Sequence, residues 1–270
     1  MDMPKLAILD GDLMAYKAAC FADKEGIDEL EARINFDVKL WTPSGVDKVL
    51  LAFSPKRSNN YRRDFWPAYK AHRDGKPGPE ALPATIEMMK DSFDIIERPR
   101  IEADDIMGMA MSSGTAVAVT LDKDLRSCPG WLWNPEKQGF PELISLEEAD
   151  KWFHTQWLTG DNTDRIPGIH RLGVKGAEKM LNATPREEWD QMIIDHYLAT
   201  ADDRVKWTVK GEKFEGTRQE MISQQYGWES GQDLEYCLAQ ARCVRILRAG
   251  EWDKTSETHI LWAPNCLQKG

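Results

Sequence analysis

Apolar runs that end in an acid set the rhythm of this chain. LAILD opens it as a short buried strand ending at Asp10, and the segment from Asp12 to Phe21 continues with Leu13, Tyr16 and Lys17 at helical spacing. Residues 28–40 read as a second amphipathic helix, and VDKVLLAFS reads as a strand ending near Ser54. Residues 80–93 predict a helix and FDIIERPR a short strand; IEADDIMGMAMSS predicts a helix with Glu102, Asp104 and Asp105 in its first turn. TAVAVTLD is a continuous apolar strand that delivers Asp122 and Asp124 at its carboxyl end, and WLWN adds another strand. Strands alternating with helices predict an α/β fold with a mostly parallel central sheet flanked by helices, in which ligands bind beyond the carboxyl ends of the strands.

From SLEEADKWFHTQWL onward the pattern turns almost wholly helical. GIHRLGVKGAEKML reads as the end of one helix, a glycine-bounded hairpin and the start of the next, and residues 186–198 and 233–249 extend the helical part. The charged segment VKWTVKGEKFEGT reads as a hairpin or an insertion. The change of pattern divides the chain into an α/β part over residues 1–145 and a helical region over 146–270.

Charge is unevenly spread. The stretch PKRSNNYRRDFWPAYKAHRDGKPGP, within a segment spanning 55–80, carries Lys56, Arg57, Arg62, Arg63, Lys70, Arg73 and Lys76 against Asp64 and Asp74. Pro67 prevents one straight helix there, which leaves two short helical pieces or a mobile loop at the rim of a cleft. Tyr69, Lys70 and Arg73 fall on one helical face, where the ring is placed to stack on a base, while Phe65 and Trp66 read as packing residues. The bland alternative for such a run is a solvated surface.

Length and composition exclude several classes. At 270 residues and 41% hydrophobic content the chain buries a sizeable core. Its five cysteines are odd in number and lack zinc-site spacing, as expected of reduced thiols. No apolar run approaches the roughly 18 residues of a membrane helix, and the start of the chain lacks the features of a signal peptide, so a soluble cytoplasmic protein without a membrane partner is expected. A formal charge of −10 argues against nucleic acid until the acids are located, because cations bound to Asp10, Glu102, Asp104, Asp105, Asp122, Asp124, Asp161 and Asp164 would offset most of the excess.

These acids form four groups, each at the end of an element. Taken singly they have ordinary explanations: helix-dipole complementarity for the first group of three, and turn or cap chemistry for Asp10, for Asp122 with Asp124, and for TGDNTDRIPG. Together they point to carboxylates converging in one cleft, where divalent cations would have to lie between them. Hard oxygen ligands suit Mg²⁺, with Mn²⁺ as a substitute, and two such ions clamp a phosphodiester for hydrolysis. In PGIHRLGVKGAEKML the turn at Gly173 and Gly176, with Lys175 and Lys179 close by, reads as a grip on backbone phosphate; a plain helix–turn–helix connection is the alternative.

LDGD, EADD, TLDKDL, LTGDNTDRIPGI and GVKGAEKML resemble, in this order, the motifs of the 5′ nuclease (flap endonuclease) superfamily, and the helical tail is similar to that of small stand-alone bacteriophage 5′-to-3′ exonucleases. The resemblance implies a PIN-like nuclease core with a helix-hairpin-helix at about 158–182 that holds duplex DNA and, in many relatives, K⁺. By motif position it implies metal ligation by Asp10, Glu102, Asp104, Asp105, Asp122 and Asp124, with Asp161 and Asp164 completing a second ion. It also places Lys70 and Arg73 over the scissile phosphate as catalytic residues beside Asp10 and Asp122, with Arg62 and Arg63 in the same arch. The implied activity is Mg²⁺-dependent cleavage near the 5′ ends or flaps of duplex DNA, extending to RNA in RNA–DNA hybrids, in phage-type replication or recombination in the host cytoplasm. One departure stands out: relatives often end the second strand with a metal-associated Asp, where this chain has Ser54. Two other readings remain: a haloacid-dehalogenase-like phosphatase with Asp10 as nucleophile, and a catalytically inactive DNA-structure binding module.

Overall fold

The computed structural model describes residues 2–229, 231 and 233–268; the side chain of Arg57, counted in the basic stretch, lies outside the described residues. In chain order the elements are β1 (Leu6–Asp10), α1 (Gly11–Glu25), α2 (Leu30–Leu40), β2 (Lys48–Phe53), α3 (Arg62–Phe65), α4 (Leu82–Ser92), β3 (Ile95–Glu97), α5 (Ala103–Ser112), β4 (Val117–Val119), β5 (Gly130–Trp133) and β6 (Glu142–Ile144). There follow α6 (Leu146–Thr159), α7 (Val174–Ala183), α8 (Trp189–Ala199), β7 (Arg204–Val209), β8 (Glu212–Thr217), α9 (Arg218–Tyr226), α10 (Leu234–Val244), β9 (Trp252–Asp253) and β10 (Thr258–His259). Among the described residues no helix is long and apolar enough to cross a membrane.

The chain divides into two units. The first comprises Met1–Asn60, Gly75–Asp150 and Ile246–Ile260. Its sheet has the order β3-β2-β1-β4-β5-β6, parallel throughout except for β6, which pairs antiparallel with β5. The continuous apolar runs in β1 and β4 are those of strands covered on both faces, with α5 against one face and α1, α2 and α4 on the other. Leu9, Leu51, Phe53, Val117 and Val119 pack with Met14, Leu30 and Ile34 on the latter side. Strand order reverses between β1 and β4, the switch point at whose carboxyl ends an open α/β sheet leaves its crevice. Gly11 permits α1 to begin directly off β1, because a Cβ there would stand 2.6 Å from the Ala52 carbonyl oxygen. That close approach fixes where Asp10 and Asp12 emerge.

The second unit comprises Tyr61–Asp74, Lys151–Arg245 and Leu261–Gly270. Phe153, Trp157, Leu181, Ile193, Tyr197, Ile222 and Tyr236 form its core together with Trp66 and Tyr69. Buried polar atoms are tied to main chain: Trp157 Nε1 donates to the Cys237 carbonyl at 3.1 Å, and the Tyr197 hydroxyl donates to the Trp157 carbonyl at 2.6 Å. The segment read as hairpin or insertion is the antiparallel hairpin β7–β8, turned by Lys210 and Gly211 at φ 49° and 89°. Gly160 and Gly168 close the neck of the loop after α6, since a Cβ on either would lie 2.2 Å from backbone atoms of the opposite side. GIH, expected as a helix end, belongs to this non-helical connection.

Pro67 breaks the basic segment into two short helical pieces, as expected: the turn α3 and a 3₁₀ turn over Ala71–Arg73; residues 61–74 group with the helical unit. Tyr61, Trp66, Ala68 and Tyr69 are buried there, and the apolar gain from ordering these aromatics outweighs the mobility suggested by charge density. At the other end, residues 246–260 group with the first unit, where the Ile246 side chain and the Leu247 carbonyl lie against Gly108 of α5.

Candidate active site

In the first unit the acids gather at the switch point. Asp10 caps α1: its Oδ1 accepts the Leu13 N–H at 3.0 Å, satisfying a helix-end donor, and its Oδ2 accepts the Thr120 hydroxyl at 2.8 Å. The Thr120 Oγ1 in turn accepts the Asp122 N–H at 3.0 Å, so a single buried hydroxyl joins the ends of β1 and β4. Asp122 is exposed and accepts the Asp124 N–H at 2.8 Å, fixing the D-x-D turn; Asp124 is half-buried.

A second hydroxyl organises the other side. Ser54 Oγ accepts the Ala103 N–H at 2.9 Å, filling a donor at the start of α5, while the Ser54 N–H is donated to Asp12 Oδ2 at 3.1 Å. Ser54 therefore ties the end of β2 to the first turns of both α1 and α5. Glu102 and Asp104 are half-buried in that α5 turn. Asp105 is fully buried and has both oxygens engaged, Oδ2 by the Glu102 N–H at 3.0 Å and Oδ1 by the Leu247 N–H at 3.1 Å. Its task in the structure is to cap α5 and anchor the returning chain.

Asp12 is the acid that sequence reading passed over, although it sits in the quoted LDGD. Burial pushes its carboxyl up to about 7, and the neighbouring charges of Asp10 and Glu102 push the same way, against the hydrogen bonds from Ser54. The stability held by its protonated form is fully present below the ordinary value of 3.8 and is lost as pH rises through about 7. In chelator, Asp12→Asn, whose carbonyl still accepts from Ser54, is expected to melt higher than the parent at pH 8 and to show no advantage at pH 4. Melting curves across that range check it; a constant difference would reject the electrostatic origin.

Among the described residues no three His, Cys, Asp or Glu side chains close around a point as a ready metal cage. Backbone N–H and hydroxyl donors orient Asp10, Asp105 and Asp122 individually. The donor set still fits a hard cation. Every candidate is an oxygen, Asp12 carries an electrostatic cost that a nearby cation would reverse, and Mg²⁺ keeps several waters and needs only one or two direct carboxylates.

The second unit holds the remaining candidates. Asp161 Oδ1 accepts the Thr163 N–H at 2.7 Å, and the Asp161–Ile166 bridge closes the loop. Asp164 pairs with Lys70 at 3.5 Å and with Arg73 at 3.1 Å. Lys70 has a positive φ of 51°, so Tyr69, Lys70 and Arg73 do not share a helical face. Two expectations of DNA contact are corrected. Tyr69 is 2% exposed, a core ring with no face open to a base. Arg62 is also 2% exposed, its guanidinium donating to the carbonyls of Cys243 at 3.1 Å and Arg245 at 2.6 Å. Both failed because aromatic burial, not charge, organises this stretch. Arg63 makes a paired bridge to Asp74 at 2.9 Å. Gly173 precedes the first turn of α7, Lys175 and Lys179 are exposed on that helix, and a Cβ on Gly176 would lie 2.7 Å from Leu172.

Residues 5–129 match the family model of the 5′-3′ exonuclease N-terminal resolvase-like domain. The chain is 29% identical over 230 residues to the exonuclease of Escherichia phage T7, an alignment covering 80% of this chain and 74% of that protein. It is 28% identical over 229 residues to the exodeoxyribonuclease of Enterobacteria phage T3, covering 80% and 73%. Among solved structures, the bacteriophage T5 flap endonuclease, in a pseudo-enzyme-product complex with DNA and metal ions, superposes with a TM-score of 0.56 at 16% identity over 88% of each chain. That last likeness is one of fold.

Proposed function

We propose that the chain is a 5′ nuclease of the superfamily whose 5′-3′ exonuclease N-terminal domain its residues 5–129 match, and that its acids at the switch point hold Mg²⁺ for cleavage of phosphodiester bonds near 5′ ends and flaps of duplex DNA. The observation that carries this reading is the placement of Asp10 and Asp122 on one hydroxyl, Thr120, with Asp12 in the electrostatic field of Asp10 and Glu102. Asp10, Glu102, Asp104, Asp122 and Asp124 are the proposed ligands, with Asp12 added and Asp105 left to its buried capping role. Two divalent ions, when bound, lower the pKa of a water and offset charge on the leaving oxygen.

The residues of the chain supply position. Asp10 is oriented by the helix end that it caps, Asp122 by its turn, and Glu102 by the α5 turn that Ser54 and Asp105 anchor. Lys70 and Arg73, held by Asp164, together with Lys175 and Lys179 are the proposed contacts to DNA backbone, where cations displace counterions and bind without regard to sequence. Arg63 would join them only by giving up Asp74. Mn²⁺ as a substitute ion, K⁺ at the α6–α7 connection and RNA in RNA–DNA hybrids as further substrate belong to the same proposal. The relatives are exonucleases, which removes support from the phosphatase alternative.

A duplex labelled at its 5′ end tests the reading. Short labelled products are expected with Mg²⁺, none in EDTA, and recovery when Mg²⁺ is returned in excess. Cleavage that persists through chelation, or its absence at every Mg²⁺ concentration, defeats it.

A further inference from the structure

We infer that Thr120 is a positioning residue that sets the separation and orientation of Asp10 and Asp122 for cation binding, an inference that rests on the reading of these acids as ligands. Thr120 follows β4 directly and is 1% exposed. Its N–H donates to the Trp133 carbonyl at 3.1 Å, tying its backbone to β5. Its hydroxyl donates to Asp10 Oδ2 at 2.8 Å and accepts the Asp122 N–H at 3.0 Å. A hydroxyl has one proton to give and two lone pairs, so these two bonds spend the proton and fix the rotor.

The β1–β4 register, which pairs Leu9 with Val119, stops just short of these residues, so no backbone ladder holds Asp10 against the Asp122 turn. The Thr120 side chain bridges that gap. With Oδ2 turned to Thr120 and Oδ1 to Leu13, the remaining lone pairs of Asp10 have defined directions before any ion arrives. Groups that orient a ligand in this way typically govern metal affinity by about 10- to 100-fold.

Thr120→Val keeps the shape and removes the hydroxyl; Thr120→Ser keeps the hydroxyl and removes a methyl. Mn²⁺ binding, measured by calorimetry on the full chain without DNA, gives a readout independent of cleavage. The Mg²⁺ concentration for half-maximal rate on a labelled duplex gives a second. For T120V both constants are expected to rise about tenfold or more, and for T120S to stay within about twofold of the parent. DNA binding in EDTA is expected to be unchanged in both. Should T120V not fold, Thr120→Ala set against T120S makes the same comparison. A hydroxyl-free variant that binds Mn²⁺ as the parent does overturns the inference, as does equal weakening in T120V and T120S, which would mark a packing role. Absence of saturable Mn²⁺ binding by the parent itself brings down the underlying ligand reading as well.

Discussion

Asp10→Asn is expected to reduce cleavage of a 5′-labelled duplex in Mg²⁺ by about a thousandfold or more while leaving the melting temperature within a few degrees of the parent. The two halves of this expectation come from different atoms. Asparagine caps helices about as well as aspartate, so its carbonyl continues to accept the Leu13 N–H, and its amide can donate to the second lone pair of Thr120 Oγ1, displacing the hydroxyl proton at a cost of about 1–3 kcal/mol. What disappears is the charge. A cation acting on a phosphoryl oxygen is worth several kcal/mol of transition-state stabilisation, and at about 1.36 kcal/mol per tenfold this corresponds to roughly three orders of magnitude. Asp122→Asn is expected to behave alike, since its side chain can still accept the Asp124 N–H that shapes the turn. Single-turnover rates beside thermal melts separate the two contributions. A rate within tenfold of the parent would remove Asp10 from the reaction.

The acids of β1 and β4 were legible because their signal is local: a buried strand must end somewhere, and a carboxylate following an apolar run marks its mouth. Asp12 was not, because an acid in the first turn of a helix has an adequate explanation in the helix dipole, and nothing in the sequence says that Ser54 and Glu102 will lie beside it. Thr120 and Ser54 depend on strand order. Each acts across a junction between segments distant in sequence, 110 residues apart for Thr120 and Asp10 and 49 for Ser54 and Ala103. The antiparallel β6 escaped notice for a simpler reason: three residues with one buried side chain carry no periodicity. The basic stretch misled in the opposite way, because its cations are conspicuous in the sequence while the aromatic spacing of Tyr61, Trp66 and Tyr69, which decides where the segment packs, was treated as secondary.

Arg62 turns that lesson into a measurement. Sequence charge makes Arg62→Ala a DNA-binding variant; the structure makes it a folding variant. Its guanidinium lies 4.7 Å over the Tyr61 ring and 5.7 Å from that of Tyr69, and its nitrogens satisfy the Cys243 and Arg245 carbonyls at the end of α10. Truncation would leave those carbonyls short of donors in a closed interior at about 1–3 kcal/mol each, besides the lost packing of the aliphatic stem. A loss of about 3–6 kcal/mol, seen as a fall of roughly 10 °C or more in melting temperature, is therefore expected. Lys70→Ala provides the contrast: its ammonium lies 3.5 Å from Asp164, a longer contact than the carbonyl bonds of Arg62, so its removal is expected to cost less stability than R62A while weakening DNA binding. Melting and DNA affinity measured on both variants distinguish a cation that holds the second unit together from one offered to phosphate. Should R62A melt with the parent and lose DNA affinity as K70A does, the buried guanidinium described for residue 62 would be wrong.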